Sequence, residues 1–306
     1  MPRVSIVLPN YNYARYLKER IRSILHQTYT DFELLYVDDA SSDESNRIAE
    51  SFSSDSRVKL FCYKDNSGGA FERRKDTIAM SSGEWIWFAE ADDSAHPRFL
   101  ERMLGHIDAN PGVGIAHARM VTMDPAGRIL GINWPSFGDL ARRLDSDYFA
   151  TGPDDAIWLT AQCFYSSSSG ILLKREALIA CGGYDTRLRS ASDWDLYLRM
   201  LQSCGVVYTA EPLAYYRSHV QSVTRQTSDA VRLLEDAYVV AAGYSWICRD
   251  PRVSVADKRI VKQRMLARIF DLFTAGHIVA PARLRFAAEA IHNILPDRRF
   301  AGIQWS

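Results

Sequence analysis

Five cysteines are scattered over 306 residues, and no two of them form a C-x-x-C pair. Cys62, Cys163, Cys181, Cys204 and Cys248 therefore lack the spacing of a zinc site and the density of a disulfide framework. A reducing, cytoplasmic setting is the expectation. Long apolar runs are missing too: 47% of residues are hydrophobic, yet no stretch reaches the roughly 20 needed to span a bilayer. Met1-Pro2-Arg3 leads straight into a strand-like run, without the regions of a secretory leader. Neither a repeat nor a low-complexity linker interrupts the chain. The 37 Lys and Arg balance 37 Asp and Glu, a net charge of zero that argues against nucleic acid as a partner. No G-x-G-x-x-G follows a strand pattern, which excludes a dinucleotide dehydrogenase. Pro9-Asn10-Tyr11-Asn12 is not the glycine-rich phosphate loop that a sugar-nucleotide pyrophosphorylase needs at its first strand end.

What is present is an alternation of short apolar strands with helical stretches. Val4 to Leu8 reads as a buried strand broken by Pro9-Asn10-Tyr11-Asn12. A helix is expected from about Tyr16 to Gln27, with Leu17, Ile21, Ile24 and Leu25 on one face. Phe32 to Val37 is the next strand, ending in Asp38-Asp39, and Ser41-Ser42-Asp43 suits a helix cap. Val58 to Cys62 is a third strand. Asn66-Ser67-Gly68-Gly69 then opens a helix carrying Arg73, Arg74 and Lys75. This order implies an α/β, mostly parallel, doubly wound sheet.

The apolar run Trp85-Ile86-Trp87-Phe88 ends in Glu90-Ala91-Asp92-Asp93. Neighbouring carboxylates raise one another's pKa unless a cation compensates, and at a strand end that cation is typically a hard divalent metal shared with a phosphate. Open α/β sheets bind ligands outside the carboxyl ends of their strands. Tyr11, Asp39, Asp92 and Asp93 would thus share one edge. An aromatic face for a base, a carboxylate for its N–H, basic side chains and an acid pair describe a nucleoside diphosphate site.

Several blocks resemble glycosyltransferase family 2, whose fold is termed GT-A. They are Val4 to Asn12, Ser23-Ile24-Leu25-His26-Gln27-Thr28-Tyr29, Phe32 to Asp39, and Ser82-Gly83-Glu84 through Asp93. Gly182-Gly183-Tyr184-Asp185, Ser192-Asp193-Trp194-Asp195 and Tyr216-Arg217-Ser218-His219 follow in the family's order. The resemblance implies a catalytic domain over residues 1–225, with a nucleotide-sugar half at 1–95 and an acceptor half at 96–225. Residues 226–306 would then form a helical extension. It further implies an inverting, metal-dependent transfer of a sugar from a nucleotide diphosphate donor, of the UDP type, to a saccharide or lipid-linked hydroxyl. Cell-surface polysaccharide or glycolipid synthesis is the setting.

Residue by residue, the resemblance gives base recognition to Tyr11, the Pro9 backbone and Asp39. Asp92 contacts ribose or phosphate, and Asp93 holds Mn²⁺ or Mg²⁺. Arg74 faces the diphosphate if one residue is inserted around Ser67, and Arg73 does so otherwise. Asp193 is the general base. His219 and Ser222 stand where relatives place metal or phosphate contacts. Three positions depart from the pattern: Glu90 for aspartate, Ser192 for glutamate and Lys75 for asparagine. The rival reading is a non-catalytic nucleotide-sugar sensor or scaffold, which has no need of Asp193.

Charge is uneven along the chain. Residues 249–306 hold eleven Lys or Arg against five Asp or Glu, a net of +6. Val261, Met265, Ile269 and Phe273 repeat at helical spacing, and Leu284, Ala287, Ile291 and Ile294 form a second stripe between Pro281 and Pro296. These helices either pack on the catalytic domain or make peripheral contact with an anionic membrane.

Overall fold

The computed structural model describes residues 1–132, 138–220 and 228–274. Its first half runs β1 (Val4–Asn10), α1 (Ala14–Leu25), β2 (Phe32–Asp38), α2 (Ser45–Glu50), β3 (Val58–Cys62), α3 (Ala70–Met80) and β4 (Trp85–Phe88). Next come β5 (Ser94–Ala95), α4 (Phe99–Ala109), β6 (Val113–Met123), β7 (Ile129–Ile132), α5 (Gly138–Arg143), β8 (Tyr148–Ala150) and α6 (Gly152–Ala161). A 3-10 turn at Ser168–Gly170 leads into β9 (Ile171–Lys174), α7 (Arg175–Ala180), α8 (Ser192–Met200) and β10 (Gly205–Arg217). Two long helices follow, α9 (Asp229–Arg249) and α10 (Val255–Thr274).

One sheet carries the order β3-β2-β1-β4-β9-β6-β10-β5. The first four strands are parallel, as the βαβ spacing predicts. Beyond β4 the sheet is mixed: β9 is antiparallel to both β4 and β6, while β10 runs parallel to β6. The expected mostly parallel sheet is thus strictly parallel in the nucleotide half and mixed beyond it. β9 enters between β4 and β6 in the reverse sense after the 3-10 turn at Ser168–Gly170.

Alternating residues of the central strands feed two cores. Ile6, Leu8, Trp85 and Trp87 pack with Leu17, Ile21 and Ile24 of α1 and with Phe99 and Met103 of α4. Val7, Ile86 and Phe88 pack on the other face with Phe71, Ile78, Leu196 and Tyr197. That second core continues through Val239, Val240 and Ile247 of α9 to Val261 and Met265 of α10. A Cβ at Gly243 would meet Thr160 Oγ1 at 2.7 Å, so α9 approaches α6 as closely as a glycine permits. The helices after residue 228 therefore extend the catalytic core instead of building one of their own. Val261 and Met265 are core residues. The stripe Leu284 to Ile294, with Pro281 and Pro296, lies outside the described residues, as does Ser222. Among the described residues no helix is long and apolar enough to cross a membrane.

Candidate active site

The site begins where β1 and β2 end. The sequence reading stops β1 at Leu8, but the strand runs to Asn10, paired in register as Pro9 with Val37 and Asn10 with Asp38. The reason is which way Pro9 faces. Val7 accepts from the Ala89 N–H at 2.8 Å, so alternation turns Pro9 to the same side, where pairing with β4 has ended. A missing N–H costs nothing there.

Asp38 ties the two loops together. Its carboxylate accepts from Asn10 Nδ2 (2.8 Å), Ser41 N (2.8 Å), Tyr36 Oη (3.0 Å) and Asn46 Nδ2 (3.1 Å). Burial raises its pKa, but the donors outweigh that and hold it below the ordinary value. Asn12 and Ala40 both adopt left-handed backbone, with φ of 59° and 65°. Such strain in non-glycine residues persists only where surrounding contacts dictate it. Tyr11, between the loops, leaves about half its surface exposed (49%) at the sheet edge. Asp39 is buried, and its carboxylate accepts from Ser67 N (2.9 Å), Ser67 Oγ (2.7 Å) and Arg73 Nε (2.7 Å). Arg73 lies over the Tyr63 ring at 3.7 Å. Asp39 thus grips the Asn66–Gly69 turn and Arg73, while Arg74 reaches the acid cluster.

That cluster follows β4. Glu90 is paired with Arg74 and accepts from Ser168 Oγ at 2.6 Å. Asp92 Oδ2 lies 2.8 Å from His219 Nε2, at the end of β10. Asp93 is turned inward, 1% exposed, and accepts from Arg217 N (2.9 Å) and Ser167 Oγ (3.1 Å). Burial and then Asp92 raise the Asp93 pKa, while Arg20 opposes them. The expected division of labour between the two aspartates is therefore not what the geometry favours. Asp93 is occupied with protein donors, and Asp92 is the carboxylate that faces a ligand-type side chain.

Two buried arginines sit beneath these acids. Arg20 is fully buried, stacks 5.0 Å from the Trp87 ring and donates to Ser169 Oγ at 3.2 Å. Burial pulls its pKa down to about 10, against the pull of Asp93, Glu90 and Asp92, so it remains cationic at neutral pH. Arg217 Nε donates to the Asp92 carbonyl at 2.7 Å. Neither arginine was singled out for a site role from the sequence. The available signal was Arg20 itself, a charge within the apolar stripe Leu17, Ile21, Ile24. Ser167, Ser168 and Ser169, at the 3-10 turn before β9, form the other clamp. Ser169 Oγ accepts from the Glu90 N–H at 3.0 Å, and the Ser169 carbonyl accepts from Trp87 Nε1 at 2.8 Å.

The residues fit a divalent cation in part. Asp92 and His219 offer one oxygen and one nitrogen side by side, and His219 Nδ1 is buried without a hydrogen-bond partner among the described residues. No group of three or more His, Cys, Asp or Glu suited to a metal occurs among the described residues. A bound ion would complete its shell with diphosphate oxygens and water, as Mg²⁺ and Mn²⁺ commonly do at phosphate sites.

Asp193 opens α8. Its Oδ1 accepts from the Trp194 N–H at 2.8 Å. Burial raises its pKa, and Arg74 opposes that rise. Arg74 is thus paired with Glu90 and its charge is also felt by Asp193. Asp195, two residues on, binds Arg199 at 2.8 Å, and Arg199 also donates to the carbonyls of Cys181 (2.5 Å) and Gly183 (2.7 Å). Gly182 and Gly183 take φ of 89° and 68°, which other residues adopt at a cost. Asp195 is a brace for that turn.

The sequence matches the family model described as glycosyl transferase family 2 over residues 5–179, more than half of the chain. The chain belongs to glycosyl transferase family 2. Among curated relatives it is 29% identical over 229 residues to an uncharacterized glycosyltransferase of Nostoc sp., alr2836, spanning 71% of this chain and 65% of that one. It is 26% identical over 207 residues to a PGL/p-HBAD biosynthesis glycosyltransferase of Mycobacterium bovis, spanning 67% and 72% of the two chains. Among solved structures, S. aureus TarS 1-349 in complex with UDP superposes with a TM-score of 0.72 at 18% identity, over 97% of this chain and 82% of that one. A mannosyltransferase of Pyrobaculum calidifontis, solved with GDP-Man and Mn²⁺, gives a TM-score of 0.58 at 19% identity, over 95% and 74%. The fold is the mixed GT-A sheet with C-terminal helices.

Proposed function

We propose that this protein transfers a hexose from a nucleoside diphosphate sugar to a hydroxyl acceptor with inversion at the anomeric carbon. The observation that carries this is convergence at one sheet edge. Tyr11 and Asp39 end two strands, Asp92 and His219 meet beside them, and Arg74 joins Glu90 to the field of Asp193. Tyr11 stacks the base, the Pro9 backbone borders it, and Asp39 holds Arg73 and the Ser67 turn beside it. Arg73 and Arg74 carry positive charge to the diphosphate side. Asp92 and His219, in place of Asp93, hold Mn²⁺ or Mg²⁺, which when bound supplies positive charge to the departing diphosphate. Asp93, held by Arg217 and Ser167, fixes the position of Asp92.

In the transfer itself, Asp193 takes the proton of the acceptor hydroxyl as that oxygen bonds to the anomeric carbon. The bond from that carbon to the diphosphate breaks on the opposite face. Partial burial keeps Asp193 basic enough to accept a proton, and Arg74 keeps it ionised. The bound nucleotides of the superposed structures support a nucleoside diphosphate sugar donor, and UDP is the first choice. The M. bovis relative supports a glycolipid or cell-surface polysaccharide acceptor. A cytoplasmic site, with basic residues after 249 touching an anionic membrane surface, fits such an acceptor.

Thermal shift with UDP and GDP sugars, with and without Mn²⁺, tests the donor side, because a ligand stabilises the fold in proportion to the logarithm of its concentration over Kd. Metal-dependent stabilisation that Asp92→Ala abolishes is the expected result. Absence of any shift with either sugar nucleotide would refute the site.

A further inference from the structure

α8 carries the base but has no cap of its own. It starts after Ala191, whose side chain offers no hydrogen-bonding atom. The segment that leads into it is instead held from a helix about 45 residues away in sequence. Glu235 of α9 accepts from Arg189 N (2.8 Å), Ser190 N (2.7 Å), Ala191 N (3.1 Å) and Ser190 Oγ (2.8 Å). Three consecutive backbone N–H groups thus end on one carboxylate. Asp193 lies two residues beyond the last of them, and the Ala191 carbonyl accepts the Asp195 N–H at 3.0 Å. On the other side Ser192 Oγ donates to the Asp185 carbonyl at 2.8 Å, and the Asp195–Arg199 brace adds to the hold.

We propose that Glu235 is the positioning residue for the catalytic base: by gripping residues 189–191 it sets where α8 begins and so where the Asp193 carboxylate points. This rests on the reading of Asp193 as the base. It makes α9 part of the transfer machinery and not merely a cover for the core. A hydrogen-bonded carboxylate is the right group for the task. It accepts several N–H donors at once, its charge-assisted bonds are stronger than neutral ones, and it complements the positive end of the helix dipole. Glutamine in its place offers one carbonyl oxygen and turns an amide N–H₂ toward donors.

The test is a double-mutant cycle with Glu235→Gln and Asp193→Asn, reading acceptor-dependent transfer beside calorimetric donor affinity in Mn²⁺. Glu235→Gln should lower kcat by about 10–100-fold, the scale of a misplaced catalytic group, with donor Kd unchanged within about twofold. In the Asp193→Asn background the same change should cost no more than about twofold, because groups that act as a unit are not additive. A loss that multiplies across the two backgrounds overturns the proposal while leaving the base intact. Near-normal transfer by Asp193→Asn removes the base reading, and the proposal with it. Should Glu235→Gln fail to fold by circular dichroism, Ser190→Ala decides, since it deletes a single bond of the grip. A kcat loss of about threefold that vanishes in Asp193→Asn supports the proposal, and an unchanged kcat overturns it.

Discussion

At the residue scale, the acids of the candidate site differ in how they are held. Asp38 accepts from four residues and Asp93 from Arg217 and Ser167, Asp195 is tied to Arg199, and Asp92 meets His219. Asp193→Asn keeps the shape and removes the basicity, so transfer should fall by about 10²–10⁴-fold with donor affinity retained. Its raised pKa also has a sign. Below that pKa the carboxyl is protonated and cannot accept a proton, so activity should climb with pH along a limb above the ordinary carboxylate range. The same raised pKa means that ionised Asp193 contributes against folding at neutral pH. Asp193→Asn should therefore melt slightly higher than wild type at pH 7, and a lower melting temperature would contradict this account of its burial. For the metal, Asp92→Asn and Asp93→Asn separate the two assignments. The first should raise the Mn²⁺ concentration needed for half-maximal transfer by about 10-fold or more. The second should leave that concentration nearly unchanged, because Asp93 is bonded to Arg217 and Ser167.

At the scale of elements, the parallel half of the sheet is pinned at its far end by one buried glutamate. Glu33 of β2 accepts from Ser5 Oγ (2.6 Å), Ser82 N (2.9 Å), Ser82 Oγ (2.7 Å) and Lys59 Nζ (2.7 Å), so it touches β1, β3 and the entry to β4. Burial pushes its pKa up, but Lys59 and the serines outweigh burial and hold it at about 2. A lowered carboxylate pKa gives stability that is complete above the unfolded value and lost as pH falls through the folded one. Wild type should thus lose stability between about pH 4.5 and pH 2, and Glu33→Gln should flatten that part of the profile. At pH 7 the substitution should cost about 1–3 kcal/mol by chemical denaturation, the usual penalty for stranding buried donors. An unchanged acid profile would show that Lys59 and water satisfy the site without Glu33.

At the scale of the whole molecule, α9 and α10 close the core that the sheet and α8 begin. Val239, Val240, Ile247, Val261 and Met265 are all at most 2% exposed. Each apolar side chain buried in this way is worth about 1.5–3 kcal/mol. Deleting residues 228–306 uncovers Thr160, Leu198 and Trp158 and should yield insoluble protein with no cooperative melting transition. Deleting only residues 275–306 leaves both helices in place and should give a soluble, active protein. If residues 275–306, with four of the eleven basic residues, meet anionic lipid, this shorter form should also float less with phosphatidylglycerol vesicles. Flotation of the full chain should weaken as salt rises, since exposed charges are screened. Equal flotation of both forms would place any membrane contact elsewhere.

By itself the sequence determined the strands and helices of the nucleotide half, because short apolar runs and helical stripes are local signals that tertiary contact only reinforces. It also specified the family blocks, so Tyr11, Asp39, Asp92, Asp93 and Asp193 could be named in advance. What it could not determine was the direction in which each side chain turns. Asp92 and Asp93 are neighbours of the same type, and only the arrival of Arg217 and Ser167 decides that Asp93 is the one turned inward. Pro9 ended a strand on local rules, yet β1 continues because β4 stops pairing before it. Ser167, Ser168 and Ser169 carry no local signal, because their partners Asp93, Glu90 and Arg20 lie more than 70 residues away. Glu235 likewise sits in an ordinary helix. Its meaning comes from long-range packing of α9, which puts a carboxylate against backbone N–H groups that no local pattern could have paired with it.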